Sequence, residues 1–176
     1  EARHYVFTID DEAQYVLVDT PGFQRPRAVL DWLEARATTA SERPQWVARF
    51  VDAHATDPRF HDECELLRPI VQGAGILYVV DGAKPYGPEY EVEMQILQWT
   101  GRPRMALINL IGPGDHVAEW RQALEQYFSI VRVFDALRAD FARRLALVRA
   151  FAELDETWRA PLERAGPPGA PRHVAY

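Results

Sequence analysis

Apolar side chains alternate or cluster along residues 3–9 and again along 14–18, with Asp10, Asp11 and Glu12 between them, a pattern that predicts a β-hairpin. The second of these strands runs straight into Asp19-Thr20-Pro21-Gly22, a polar turn at a strand's C-terminal end. Val29, Leu30, Leu33 and Ala37 then recur at helical spacing within 27–37. A second helix is predicted over 44–53, with Pro44 accommodated in its first turn. A third is predicted over 59–72, where Pro69 should kink or end it.

The run Gly75-Ile76-Leu77-Tyr78-Val79-Val80-Asp81 is apolar on consecutive positions and bounded by glycines, as in a strand buried on both faces. Helical spacing over 89–99 leads to a second such strand over 104–110. A helix over 115–127, with Asp115 as its N-cap, leads to a short strand over 130–134. A long amphipathic helix is predicted from 137 to about 162, and Gly166-Pro167-Pro168-Gly169-Ala170-Pro171 reads as a linker or frayed end. Strands alternating with helices give an α/β protein with a mostly parallel sheet, in which ligands sit beyond the carboxyl ends of the strands.

Composition narrows this picture without changing it. The chain has 176 residues, 48% hydrophobic and 26% charged, ordinary for one globular unit. A net charge of -6 supplies no basic field for nucleic acid. Cys64 is the only cysteine, which excludes an internal disulfide and suits a reducing compartment such as the cytoplasm. Lys84 is the only lysine among 20 basic residues, so any motif that requires lysine must use it. No apolar run approaches membrane-spanning length. The chain opens on Glu1, not Met, two residues before a predicted strand, so a processed, excised or incomplete piece is expected.

The strand ends carry the candidate chemistry. At Asp19-Thr20-Pro21-Gly22-Phe23 an aspartate could hold a hydrated Mg²⁺, and a glycine three positions on could bring a bare backbone N–H against a phosphate oxygen. A plain Pro-Gly turn explains the same residues. Asp81-Gly82-Ala83 ends the next strand, where a loop-fixing aspartate suffices, and Asn109 ends the third, where its amide could fix a loop or read a purine edge. His61-Asp62-Glu63-Cys64-Glu65 holds metal-binding residue types, but consecutive side chains diverge on a helix. Five tryptophans fall mostly on helix faces and read as packing anchors.

In order and spacing, over about residues 3–150, these features resemble the Era- and TrmE-type GTPases. More narrowly, the chain resembles a proteobacterial group of Era-like GTPases with a C-terminal domain of unknown function. The resemblance rests on the strand followed by DTPG-Phe, the strand 76–81 and the strand ending at Asn109. It is supported by Leu30-Asp31-Trp32-Leu33-Glu34, Arg49-Phe50, Phe60…Glu63…Leu66-Leu67-Arg68, Tyr90-Glu93-Ile96-Leu97 and Ala118-Glu119-Trp120-Arg121.

The resemblance implies a P-loop NTPase-like G domain over 1–165, with a helical insertion at about 24–72 and a tail at 166–176. It implies GTP with Mg²⁺, the ion held through water by Asp19. It also implies nucleotide contacts from Asp19, Thr20, Pro21, Gly22, Asn109, Asp135 and Ala136. A protein effector could dock on the helices of 24–72, although helical cover for the sheet is favoured there. A cytoplasmic location follows, and a C-terminal domain outside this chain leaves peripheral association with the inner membrane open.

Departures from the family pattern matter as much. No G-x-x-x-x-G-K-[ST] occurs, and Lys84 follows a different strand end, where it reads as a solvated loop residue. In the NKxD motif only Asn109 matches; Leu110 replaces the lysine and Gly112 the aspartate, leaving GTP-over-ATP preference open. Phe23 stands where Ras-like enzymes place the water-orienting glutamine, as in Era-like enzymes; Gln24 is a weak substitute, so no catalytic residue is assigned.

By resemblance, the missing first strand would lie between the strands ending at Asp19 and Asp81. Either those two strands then pair directly, or the isolated chain is poorly stable. The expectation is a fragment of a GTP-hydrolysing switch that alone binds nucleotide weakly or not at all and is inactive. The alternative is a degenerate, non-catalytic G domain acting as an interaction module; an unrelated doubly wound nucleotide binder is disfavoured, since no G-x-G-x-x-G occurs.

Overall fold

A computed structural model describes residues 3–9 and 12–135, together with Ala150 and Glu153. The chain begins with an antiparallel hairpin, β1 (Arg3–Ile9) and β2 (Glu12–Asp19), whose register shifts at Phe7/Thr8, so that one residue of β2 is bulged out. Three helices follow: α1 (Pro26–Glu34), α2 (Arg43–Ala53) and α3 (His61–Val71). Short 3₁₀ turns, Ala40–Glu42 and Pro58–Phe60, lead into the second and third of these. Then β3 (Ile76–Asp81), α4 (Glu89–Trp99), β4 (Arg104–Asn109), α5 (Val117–Leu124) and β5 (Ile130–Phe134) alternate. The long helix expected from 137 and the tail at 166–176 lie outside the described residues.

The α/β class is as the sequence implied: β3, β4 and β5 form a parallel sheet in that order, each crossover carrying a helix. One face of this sheet, through Ile76, Val80, Ala106, Ile108 and Val131, joins the main core. That core continues into the helices through Leu30, Leu33, Phe50, Leu67 and Ile96, all at most 1% exposed. The helices of 24–72 thus bury apolar faces against one another and against α4. Trp32 meets Trp46, Phe50 and His54 edge-on, with ring centroids 5.4–6.1 Å apart, and Trp99 and Trp120 are buried. These four tryptophans are packing anchors; Trp158 lies outside the described residues. Among the described residues no helix is long and apolar enough to cross a membrane.

Two boundaries differ from expectation for physical reasons. Pro69 neither breaks nor shortens α3 appreciably: it sits in the last turn, and the helix runs on to Val71. The stop comes instead from Gly73 at φ 118°, just past the C-cap Gln72, the left-handed ending that glycine permits. Arg102 reinforces it by donating from Nε and Nη2 to the carbonyls of Ile70 and Val71. Asp115 is not the N-cap of α5, which begins at Val117 with His116 in the cap position. The His116 N–H is drawn to the Gly82 carbonyl at 2.9 Å, fixing the helix start from the neighbouring loop.

The expected alternative of direct pairing between the strands ending at Asp19 and Asp81 is not what the structure has. β1–β2 and β3–β4–β5 are separate sheets, and among the described residues β3 has a strand neighbour on one side only. Leu17 on β2 and Val79 on β3 are each 52% exposed.

Candidate functional site

The turn after β2 is held at both ends. On its N-terminal side is the β1–β2 ladder, in which Asp19 pairs with Arg3. On its C-terminal side Phe23 packs against the core, and Glu63 reaches from the first turn of α3 to accept the N–H groups of Gln24 and Arg25 at 2.9 and 2.5 Å. Between these anchors Asp19 and Gly22 are exposed, and Thr20 and Pro21 half-buried. A Cβ on Gly22 would meet nothing within 4 Å, and the residue's φ lies outside the left-handed region. Neither packing nor backbone conformation within the described chain calls for glycine there.

Thr20, Pro21 and Gly22 form one side of a groove of about 370 Å³ whose floor is the whole length of β3 and whose end is marked by Asp81 and Lys84. Leu66 and Ile70 of α3 contribute to its wall. So does the pair Tyr78–Glu93, in which the tyrosine hydroxyl donates to Glu93 Oε2 at 2.8 Å. Burial pushes the Glu93 carboxyl above its ordinary range, partly offset by that hydrogen bond. Burial and the adjacent Glu93 push the Tyr78 hydroxyl upward as well.

Asp81 behaves as a loop-fixing residue. Its Oδ1 accepts the Ala83 N–H at 3.0 Å, and its Oδ2 lies 3.7 Å from Lys84 Nζ. Lys84 is 73% exposed in its side chain, a solvated loop lysine that nevertheless borders the groove. Gly82 is buried beneath this loop, where an added Cβ would come within 2.6 Å of Ile108 Cγ2.

Asn109 is level with Asp81 on one side and Phe134 on the other. The strand ends are tied by Gly82 N–H to the Asn109 carbonyl and Leu110 N–H to the Phe134 carbonyl. The Asn109 side-chain oxygen is buried and has no hydrogen-bond partner among the described residues. Asp135 is half-buried just past β5, and Ala136 lies outside the described residues. The expected residues thus fall in two groups. Thr20, Pro21 and Gly22 meet Asp81 and Lys84 around one groove, with Asp19 immediately before the turn. Asn109 and Asp135 stand at the ends of the next two strands, outside that groove. Leu110 is half-buried, while Gly112 and Asp115 are exposed.

Glu63 has no assigned function in the sequence reading, yet a signal was available. Positions 63, 66, 67 and 70 form the apolar stripe of α3, and an acid on such a stripe requires a buried partner. The Tyr78–Glu93 pair had no comparable signal, because 15 residues separate its members and only the sheet-to-helix packing brings them together. No family model matches the chain, and no match is found among curated proteins or solved structures.

Proposed function

We propose that these residues form the larger part of an Era-like G domain, in a protein that binds and hydrolyses GTP with Mg²⁺ as a molecular switch. Alone, the 176 residues hold nucleotide weakly or not at all. The observation that carries this reading is the groove between the turn 20–22 and the free edge of β3. In a G domain the strand that leads into the phosphate loop stands between those two elements. The unpaired edge of β3 is what its absence from a parallel sheet would leave behind.

Other residues fit the same reading. Asp19 is exposed immediately before the turn that borders the groove, and its carboxylate is suited to hold a hydrated Mg²⁺ through water. Gly22, whose missing side chain the chain itself does not exploit, would let its N–H approach the terminal phosphate. Asn109 offers a buried amide oxygen, without a partner among the described residues, at the strand end where a loop or base contact is expected. Bound Mg²⁺ would neutralise charge on the phosphates. The chain's own residues would position the turn and report whether the terminal phosphate is there. Effector contact through the helices of 24–72 belongs to this reading too.

The test is the reading frame immediately upstream of the codon for Glu1, followed by titration of the longer product with a fluorescent GTP analogue and Mg²⁺. The expected result is an in-frame apolar run ending in G-x-x-x-x-G-K-[ST], sub-millimolar GTP binding by the longer product, and none by residues 1–176. An upstream stop codon, or sub-millimolar binding by the 176 residues alone, overturns the proposal. The stop codon would put the interaction-module alternative first.

A further inference from the structure

Glu63 is the only acidic side chain in the described chain that is fully buried, at 1% exposure. Such a group needs strong partners, and it finds them 38 and 39 residues away, in the Arg25 and Gln24 N–H groups. Those groups immediately precede α1, whose cap residue Arg25 supplies no side-chain cap and whose first residue, Pro26, has no N–H. Glu63 therefore fixes the chain's entry into α1 from another helix. It also lies in the first turn of α3, so its carboxylate stands at the positive ends of two helices at once. Leu66 and Ile70, one and two turns further along α3, line the groove.

We propose that Glu63 is the positioning residue of the turn 19–22. It fixes the turn's C-terminal side to α3, so that α3 carries both a wall of the groove and the anchor of the turn. Whatever fills the groove presses on Leu66 and Ile70, and the same helix passes that displacement to the turn through Glu63. The geometry of the clamp is independent of any ligand; its consequence for nucleotide rests on the function proposed above.

The experiment is residue-resolved amide exchange on the 176-residue chain, comparing the unmodified protein with Glu63→Gln and Glu63→Ala. Exchange at Gln24 and Arg25 should be faster by about tenfold or more in Glu63→Ala. Glu63→Gln, which keeps an acceptor oxygen, should lie between, and the β4 amides should be unchanged. Equal exchange at Gln24 and Arg25 in all three proteins overturns the assignment. Should Glu63→Ala lose protection throughout β4, Glu63→Gln decides alone: a local increase at Gln24 and Arg25 supports the clamp, and no increase overturns it.

In the longer product, Glu63→Gln should lower the ratio of GTP to GDP affinity by about tenfold, because only GTP brings a terminal phosphate to the turn. A general loss of packing would weaken both nucleotides alike, and that result overturns the positioning role. Absence of GTP binding by the unmodified longer product counts against the proposed function only, and the exchange data then decide on Glu63.

Discussion

Replacing Val79 by lysine tests the feature on which the functional reading stands. Val79 lies in the middle of β3, pairs with Leu107 of β4, and is 52% exposed. Complete burial of a valine side chain is worth about 1.5–3 kcal/mol, so with half of it already in water roughly 1 kcal/mol of apolar contact is at stake. The lysine stem can recover part of that while its ammonium stays hydrated. Val79→Lys should therefore cost the 176-residue chain no more than about 1 kcal/mol, read from urea unfolding followed by tryptophan fluorescence. It should also reduce self-association, because a lysine on an open strand edge disfavours edge-to-edge pairing. In a longer product whose added strand covers β3, the same lysine must be buried without a partner, and the cost should rise to about 3 kcal/mol or more. A loss above about 2 kcal/mol in the 176-residue chain would mean that the β3 edge is already covered, and the reasoning from the groove would fail.

Three further outcomes follow from the packing and the charges. Phe50→Ala removes a ring that is 0% exposed and in contact with Trp32, His54 and Phe60, and should cost about 3–5 kcal/mol in the same unfolding assay. Gly82→Ala puts a methyl group against Ile108, and should cost about 1–3 kcal/mol; a neutral result would show that the strand-end loop is looser than its contacts imply. Glu93 binds its proton more tightly folded than unfolded, so its ionisation lowers stability as pH rises from the unfolded carboxyl value, about 4.3, towards its raised folded value. Glu93→Gln should gain stability relative to the unmodified chain across that window and hold the gain above it, whereas a difference independent of pH would refute the burial argument.

What could be read from the sequence was what local pattern decides. The helix at Glu89–Trp99 and the strand at Ile130–Phe134 stand where the periodicity put them, and β3 and β4 each differ by one residue at one end. These elements are bounded by glycine or proline, or by an abrupt change in polarity, so tertiary contacts had little to alter. The start of α5 was misplaced because its position is set by the Gly82 carbonyl, 34 residues before His116. Gly114 allows the loop to pass close to Ala83, where a Cβ would overlap the Ala83 carbonyl oxygen. No pattern within 110–117 encodes that approach. The candidate site divides in the same way. Strand-end position placed Asp19, Asp81 and Asn109 at their strand ends, but which of them border one groove depends on the separation of the two sheets.

The two edges of the parallel sheet differ in a way that bears on that separation. β5, at one edge, carries Arg132 in mid-strand, exposed, and an edge so charged resists pairing with another chain. β3, at the other edge, reads Ile-Leu-Tyr-Val-Val, with no charge and no proline before Asp81. Its two faces are both apolar, as in strands that have neighbours on either side. One face is satisfied by the main core through Ile76 and Val80. The other continues the row of Met105 and Leu107, both buried, but leaves Val79 half in water. β3 therefore has the composition of an inner strand in the position of an outer one, and the hairpin that could have closed against it stays in a sheet of its own. A charged edge, a bulge in β3 or direct pairing with β2 would each remove that conflict, and the described residues show none of them. The strand that the proposed function places beside β3 would remove the conflict, with its C-terminal end at the turn 20–22 and Asp81.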